Sequence, residues 1–196
     1  KSLSNNKMHV LVNTFEIFEL EQYKTEKIEI DMGCGSGSFT VQLAQRYPDR
    51  LILASDVYSG RLNKLRRKAD ANNCQNIVCL RASNFALVSY QLPPQSIDRI
   101  HLLCPDPWPK KHHKSRRLVS SEFVNKLNRI LKPGGVIHLS TDYEPYFEIW
   151  QNLFKLFPEF VDANDEIEDV KDIKSDFEMQ WNEQGKIVQH MAKKLL

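Results

Sequence analysis

The sequence contains no apolar run that approaches the roughly 18 uninterrupted residues of a membrane-spanning helix. Its first thirty residues are polar and carry acidic groups, which is not the pattern of a secretory signal. Cysteine occurs only 4 times, with no CxxC pair and no histidine at zinc-ligand spacing. These absences predict a cytoplasmic protein with reduced cysteines and without membrane segments, disulfides or bound metal.

A net charge of only +2 conceals an uneven distribution of charge along the chain. Cations and histidines crowd one short segment, as Lys110, Lys111, His112, His113, Lys114, Arg116 and Arg117. Carboxylates predominate between residues 162 and 172. We expect one cationic face and one anionic segment on a single domain of residues 1–196. Because the chain begins at Lys1 rather than methionine, we also expect that its natural N-terminus has been trimmed.

Short apolar runs alternate with helical patterns over most of the chain. The runs have the length of buried strands and cover residues 28–32, 51–54, 77–80, 97–103 and 136–139. The helical patterns cover residues 38–46, 59–72, 121–131 and 145–157, and Pro133-Gly134-Gly135 stops the third of them. This alternation predicts an α/β fold with a mostly parallel, twisted sheet and helices on both faces. A helical segment near 177–184 then precedes a run at 187–192, which we expect to return antiparallel at or near the sheet edge.

A glycine-rich loop follows the first apolar run, and residues 29–37 read Glu-Ile-Asp-Met-Gly-Cys-Gly-Ser-Gly. Glycines permit a sharp turn and a close approach of ligand to backbone, and open α/β sheets bind ligands beyond the carboxyl ends of their strands. The spacing is GxGxG rather than GxGxxG, and Asp56 ends the second strand, where a carboxylate can accept both hydroxyls of a ribose. These features alone leave two cofactors open, a nicotinamide dinucleotide and S-adenosylmethionine.

Two further details favour S-adenosylmethionine. The carboxylates of Glu29 and Asp31 suit a ligand that carries an ammonium and a sulfonium, and they suit a pyrophosphate poorly. The late return strand also suits a methyltransferase sheet. The pattern resembles the Rossmann-like class I methyltransferase fold, in which the loop holds the methionine end and the second-strand acid holds the ribose. The resemblance places Ser83 and Asn84 where that fold contacts the adenine.

Residues 105–117 read Pro-Asp-Pro-Trp-Pro-Lys-Lys-His-His-Lys-Ser-Arg-Arg and follow the fourth apolar run. Three prolines in five residues exclude a central strand and predict a stiff loop. Such a loop would hold Asp106 and Trp108 beside the cofactor in a geometry set before substrate arrives. The cations then suit phosphates, and Trp108 and the histidines offer faces for stacking on a base. A solvated basic loop is the simpler alternative, but the position after Pro-Asp-Pro-Trp favours an RNA contact.

This segment resembles the signature of the tRNA (guanine-N7)-methyltransferases. The likeness extends from about residue 29 to residue 193 and includes LKPGG at 131–135, TDYEPY at 141–146 and Ser-Asp-Phe-Glu at 175–178, where the family has Thr-x-Phe-Glu. The resemblance implies methyl transfer from S-adenosylmethionine to N7 of guanine 46 in the variable loop of tRNA. It implies cofactor contacts from Glu29, Gly33, Gly35, Asp56, Ser83, Asn84 and Asp106. It makes Asp106 the catalytic carboxylate and implies substrate contacts from Lys110, Asp142, Ser175, Asp176, Phe177 and Glu178.

The sequence departs from the family pattern at three places. The family often has glycine where Asp31 stands, and an aspartate or Asn-Ala near Ser83 and Asn84. The segment before the first strand, which is usually basic in the family, carries few basic residues here. We expect a monomer or a homodimer that uses tRNA as its partner.

The chemistry implied for Asp106 requires no strong base. N7 of guanine is unprotonated at neutral pH, so its lone pair can attack the sulfonium methyl directly. The protein must align donor and acceptor and stabilise the positive charge that develops on the purine, a task that Asp142 could share. Three alternatives stay open. The first is a class I methyltransferase for another RNA, a protein or a small molecule, and the second is a non-catalytic RNA-binding or partner subunit. The third is a nicotinamide oxidoreductase, although this sequence lacks the GxGxxG spacing of that class.

Overall fold

A computed structural model of the protein describes residues 7–23, 25–108 and 117–196. In this part of the chain the strands form one sheet in the order β1-β4-β3-β2-β5-β6-β8-β7. They are β1 (Met8–Val10), β2 (Ile28–Met32), β3 (Leu51–Asp56), β4 (Ile77–Arg81), β5 (Ile97–Leu103), β6 (Leu131–Thr141), β7 (Phe160–Asp162) and β8 (Gln189–Leu195). Neighbouring strands from β1 to β6 pair in parallel, whereas β8 runs antiparallel to both β6 and β7.

The helices form where the sequence repeats its apolar residues at helical spacing. They are α1 (Ser38–Arg46), α2 (Ser59–Ala71), α3 (Asn84–Ala86), α4 (Ser121–Ile130), α5 (Glu144–Phe154) and α6 (Asp176–Glu183). A π-helical turn, Leu87–Gln91, continues α3, and 3-10 turns occupy Glu21–Tyr23 and Asn164–Val170. In α4, Phe123, Leu127 and Ile130 fall on one face and are buried, and the Ser120 hydroxyl accepts the Phe123 N–H as a cap. None of the helices in the described ranges has the length and apolarity needed to cross a bilayer.

The mostly parallel sheet with an antiparallel C-terminal strand near its edge is confirmed, and the two edge strands, β1 and β7, were not predicted. β8 lies one strand inside the edge, because β7 pairs with its outer side. β1 and β7 have three residues each, too few to show a period. The third predicted helix ends at Ile130, before the predicted stop at Pro133, and β6 begins directly at Leu131.

The two faces of the central strands differ in polarity. One face packs apolar residues against α4 and α5, whose Phe123 and Trp150 are fully buried. The other face carries a row of buried polar groups beneath α1, namely Glu29, Asp31, Arg99, His101, His138 and Ser140. Polar groups survive burial only when they are hydrogen-bonded or paired, so this face must be held by specific contacts.

Candidate active site

Five adjacent strands, β4, β3, β2, β5 and β6, end at one edge of the sheet, and the residues singled out in the sequence follow them there. The glycine loop follows β2, and Asp56 ends β3. Asn84 follows β4, the Pro-Asp-Pro-Trp loop follows β5, and Asp142 follows β6. Parallel strands therefore gather these residues at the edge where open α/β sheets bind ligands.

The glycine loop turns sharply from β2 into α1. Gly33, Gly35 and Gly37 all have left-handed backbones, with φ of 78°, 57° and 85°. The Gly33 N–H donates to the Ser55 carbonyl at 2.8 Å, which ties the loop to β3. Gly33 and Gly35 line a cavity of about 220 Å³. The loop is thus set by glycine conformations and anchored before any ligand binds.

Asp31 is the carboxylate of the glycine loop. It lines the 220 Å³ cavity and is only 3% exposed. Thr40 of α1 donates to its Oδ2 at 2.6 Å. Burial raises the pKa of Asp31 to about 7, against the lowering effect of the Thr40 hydrogen bond and with a further increase from the charge of Asp176. A cationic group in the cavity would stabilise the ionised form of Asp31.

Asp56 ends β3 and Asn84 follows β4, and of the two only Asn84 lines one of the site's cavities. The Asp56 carboxylate accepts the Tyr58 N–H at 2.9 Å and an Arg61 hydrogen bond at 3.3 Å, and it is 4% exposed. Asn84 lines a second cavity of about 580 Å³. Ser83 instead caps α3, because its hydroxyl accepts the Ala86 N–H at 3.2 Å. Of the two residues predicted against an adenine, Asn84 is the one on the cavity wall.

The Pro-Asp-Pro-Trp loop lines the 580 Å³ cavity, and side chains hydrogen-bond to its backbone. Cys104 and Trp108 have left-handed backbones, with φ of 49° and 40°, an uncommon conformation for residues other than glycine. Between them, the Asp106 Oδ1 accepts the Trp108 N–H at 3.0 Å. The Arg117 Nε donates to the Pro107 carbonyl at 2.8 Å. The loop therefore presents Asp106 in a fixed position.

α6 covers the cavities from the other side. Ser175 caps it by accepting the Glu178 N–H at 3.2 Å. Asp176 accepts hydrogen bonds from Ser36 at 2.6 Å and Ser38 at 2.5 Å, which attaches α6 to the glycine loop and the start of α1. Phe177 lines both cavities.

Of the other predicted substrate-contact residues, one lies at the site, one points away from it and one is not described. Asp142 lines the 580 Å³ cavity and also pairs with Lys186 at 3.5 Å. Glu178 points away from the cavities into the protein, where it contacts His190 and Lys174. Lys110 lies outside the described residues, as does the rest of the basic segment up to Arg116.

The position of Glu29 corrects the prediction that it binds the cofactor. Its carboxylate is 1% exposed and contacts Arg50, Arg99 and His101. Glu29 lines a cavity near the amino ends of the strands, together with Lys27 and Gly134, and not the cavities of the glycine loop. Burial alone would raise the pKa of Glu29, but His101 and Arg99 hold it well below its usual range. Its charge is therefore already compensated within the protein.

Asp31, and not Glu29, lies in the wall of the 220 Å³ cavity, and the sequence contained a signal for this difference. Residues 31–37 read D-x-G-x-G-x-G when the motif is started at Asp31, so the glycine that the family has after its acidic residue corresponds to Gly33 and not to Asp31.

The sequence-based predictions also missed aromatic residues that line the larger cavity. Tyr58 and Trp181 line it beside Trp108 and Phe177. Trp181 follows Phe177 by four residues on a helix, and that spacing places the two side chains on one face.

Comparison with solved structures defines the class of this fold. Over 92% of its length the chain resembles the 16S rRNA methyltransferase KamB, with a TM-score of 0.64, 16% identity and 94% of that structure covered. The aminoglycoside resistance methyltransferase NpmB1 matches 92% of the chain with a TM-score of 0.64, 18% identity and 95% coverage of that structure. The protein therefore has the Rossmann-like class I methyltransferase fold.

A family model described as "Putative methyltransferase" matches residues 25–191, and the chain belongs to that family. Curated relatives carry the name tRNA (guanine-N(7)-)-methyltransferase. One from Streptomyces avermitilis is 36% identical over 136 residues, which are 69% of this chain and 47% of that protein. One from Nitrosococcus oceani is 31% identical over 156 residues, which are 80% and 66%. The chain spans about half the length of most such relatives, and they confirm the resemblance seen in its sequence.

Proposed function

We propose that this chain transfers the methyl group of S-adenosylmethionine to N7 of a guanine in tRNA, with guanine 46 of the variable loop as the target. The observation that carries the proposal is the pair of adjoining cavities at the strand ends. The smaller one has the glycine loop and Asp31 in its wall. The larger one combines aromatic side chains with the carboxylates of Asp106 and Asp142. Gly33, Arg61, Leu103 and Phe177 line both, so donor and acceptor sites adjoin.

The donor set of the smaller cavity fits S-adenosylmethionine. When bound, this cofactor supplies an electrophilic methyl group on a positively charged sulfur. Asp31 and Asp176 line the cavity, where their negative charge favours a ligand with an ammonium and a sulfonium. We assign the ribose hydroxyls to Asp56 at the end of β3 and the adenine to Asn84, which follows β4. Arg61 and Lys64, which also line the cavity, are available to the carboxylate of the methionine end.

The volume and the lining residues of the larger cavity suit a purine. Its volume of about 580 Å³ lies within the range of small-molecule sites. Trp108, Phe177 and Trp181 offer faces on which an extruded base can stack. Asp106 orients the base through its N–H groups and stabilises the positive charge that develops on the ring. Because N7 needs no deprotonation, these residues align the base and stabilise its developing charge, and they do not act as general bases.

The remaining part of the proposal concerns RNA binding and location. Lys110 and the basic residues that follow it contact tRNA phosphates, which would make the affinity salt-dependent. Their role rests on the sequence alone. The protein works in the cytoplasm, in keeping with four free cysteines, three of them buried.

Incubation with S-adenosylmethionine labelled in its methyl group and unmodified tRNA tests the proposal. We expect label in tRNA, and we expect chemical cleavage at 7-methylguanine to map it to the variable loop. Parallel reactions with ribosomal RNA and with small acceptors test the alternative hypotheses of a methyltransferase for another RNA or for a small molecule. Cofactor binding without label in any acceptor would favour the non-catalytic RNA-binding subunit and contradict the proposal.

The ionisation of Asp31 predicts how cofactor affinity depends on pH. Without ligand, its pKa of about 7 leaves it largely protonated at pH 5 and 6. Pairing with an ammonium requires the carboxylate, so binding releases a proton below pH 7. Affinity for S-adenosylmethionine should rise by up to about tenfold per pH unit from pH 5 towards 7 and then level off. Calorimetry across this range measures the effect.

The matched variant is Asp31→Asn, which keeps the shape of the side chain and cannot ionise. We expect its affinity to be lower than that of the wild type at pH 7.5 and to change little with pH. A wild-type affinity that is independent of pH between 5 and 7 would contradict the assignment of Asp31 to the cationic end of the cofactor.

A further inference from the structure

Five titratable side chains form a continuous hydrogen-bonded row on the polar face of the sheet. The row begins at Glu29 on β2, crosses His101 on β5, His138 on β6 and His190 on β8, and ends at Glu178 on α6. Its four contacts join Glu29 Oε2 to His101 Nε2 (2.9 Å), His101 Nδ1 to His138 Nδ1 (3.0 Å), His138 Nε2 to His190 Nδ1 (2.9 Å) and His190 Nε2 to Glu178 Oε1 (3.0 Å). We call these five residues the histidine row. It links the interior of the sheet to the helix that covers the candidate active site.

The hydrogens in the histidine row can be counted. Each of the four contacts requires one hydrogen between its two heavy atoms. Glu29 is ionised, because Arg50 and Arg99 contact its carboxylate. Burial would raise the pKa of Glu178, but hydrogen bonds from His190 and Lys174 lower it below its ordinary value. Ionised carboxylates contribute no hydrogen, and three neutral imidazoles contribute only three. The row is complete only if one imidazole carries both of its ring hydrogens.

The surroundings of the three rings decide which one is charged. His101 and His138 are fully buried, at 0% and 1% exposure, and Phe39 packs against both rings. Burial lowers the pKa of both, and that of His138 falls well below its ordinary value. The His190 side chain is 14% exposed and contacts the Glu178 carboxylate directly. The two interior rings are therefore neutral, which leaves His190 as the charged one.

We propose that His190 is an imidazolium at neutral pH and is a positioning residue that holds α6, through Glu178, over the cavity lined by Phe177 and Trp181. All four contacts then have one hydrogen. His190 donates to Glu178 and to His138, His138 donates to His101, and His101 donates to Glu29. The role of α6 at the cavity rests on the proposed function, whereas the charge on His190 follows from the contacts alone.

Other charged and titratable groups near His190 do not remove the need for its charge. Lys174 donates to the same Glu178 oxygen at 2.7 Å. The other oxygen of Glu178 is buried and has no hydrogen-bond partner among the described residues. The nearby Cys104 thiol stays neutral, because burial raises its pKa to about 11. Loss of the proton from His190 would leave two acceptors facing each other at one of the contacts, and only Lys174 would then hold Glu178.

Nitrogen NMR of the imidazole rings in the full chain tests the assignment between pH 5 and 9. At pH 7 we expect His190 to carry hydrogen on both nitrogens, His138 to be neutral with hydrogen on Nδ1, and His101 to be neutral with hydrogen on Nε2. Raising the pH should remove one proton from the row, and it should leave from His190. A neutral His190 at pH 7, or a charged His138, would overturn the proposal.

The positioning role has its own test in amide hydrogen exchange of α6. After correction for the intrinsic pH dependence, we expect α6 in the wild type to exchange about tenfold faster at pH 9 than at pH 6, because one charge-assisted hydrogen bond is lost. In His190→Gln no imidazole remains to lose a proton, while the side-chain amide can still donate to Glu178. Exchange of α6 in this variant should then be independent of pH.

His9→Gln is the matched control, because His9 contacts Tyr23 at the other end of the sheet and lies outside the histidine row. It should retain the tenfold pH effect on α6. The same pH dependence in wild type and His190→Gln would refute the positioning role. None of these measurements uses a methyl donor or RNA, so their failure is distinct from failure of the proposed function.

Discussion

Asp106→Ala is expected to lower the rate of methyl transfer to tRNA at least about a hundredfold, the usual effect of removing an electrostatic group at a reacting centre. Asp106 lies in the wall of the 580 Å³ cavity, between residues whose backbones fix the loop. The proposed function assigns to its carboxylate the stabilisation of the positive charge that develops on the purine. Affinity for S-adenosylmethionine should fall much less, because the glycine loop and Asp31 are untouched. Single-turnover methylation and calorimetry measure the two quantities separately.

Asp106→Asn separates the charge of this residue from its structural role. Its side-chain carbonyl can still accept the Trp108 N–H, so the loop should keep its conformation. We expect Asn to lose nearly as much activity as Ala, since both lack the negative charge. Activity retained by Asn and lost by Ala would instead assign Asp106 to loop geometry. Asp49→Ala, an exposed carboxylate before β3, is the control for loss of one charge and should be fully active.

Gly37→Ala is expected to destabilise the protein by about 3 kcal/mol, the combined cost of a left-handed residue and an overpacked core. Gly37 has φ of 85° at the start of α1. A Cβ there would lie 2.3 Å from Leu65 Cδ1 and 2.8 Å from Leu65 Cβ. Leu65 is fully buried on α2. Urea unfolding measures the loss.

Gly35→Ala is the matched comparison within the same loop. Gly35 also has a left-handed backbone, with φ of 57°, but a Cβ added there meets nothing within 4 Å. Only the conformational cost should appear, about 1 kcal/mol. Equal losses for the two variants would mean that the contact of the loop with α2 contributes nothing. At Gly35 we expect the larger effect on cofactor affinity, because Gly35 lines the 220 Å³ cavity and Gly37 does not.

The sequence predicted the interior of the fold well because buried parallel strands are continuous apolar runs bounded by turn residues. It could not separate Glu29 from Asp31 by periodicity. Residues two apart in a strand point to the same face, so both carboxylates were equally plausible ligands. Only the partners differ, since Arg50 and Arg99 come from distant parts of the chain to neutralise Glu29. The D-x-G-x-G-x-G spacing was the one local signal that distinguished them.

The polar face of the sheet was harder to predict than its apolar face. The run at residues 97–103 was read as apolar, although Arg99 and His101 lie within it and both are buried. Whether a strand histidine is buried depends on what it meets across the sheet. His101 and His138 are 37 residues apart, and His138 and His190 are 52 apart. No local pattern links residues at such separations.

The placement of β8 between β6 and β7 has a consequence for the order in which the strands pair during synthesis. β7 is made first but pairs with β8 alone in the described sheet, so it waits unpaired until residues 189–195 have been synthesised. At ribosomal speeds that wait is on the order of seconds. His190, which reaches Glu178, belongs to the same late segment. A nascent chain that has reached β7 therefore already contains its glycine loop, whereas the contact between His190 and α6 forms only after β8 has been synthesised.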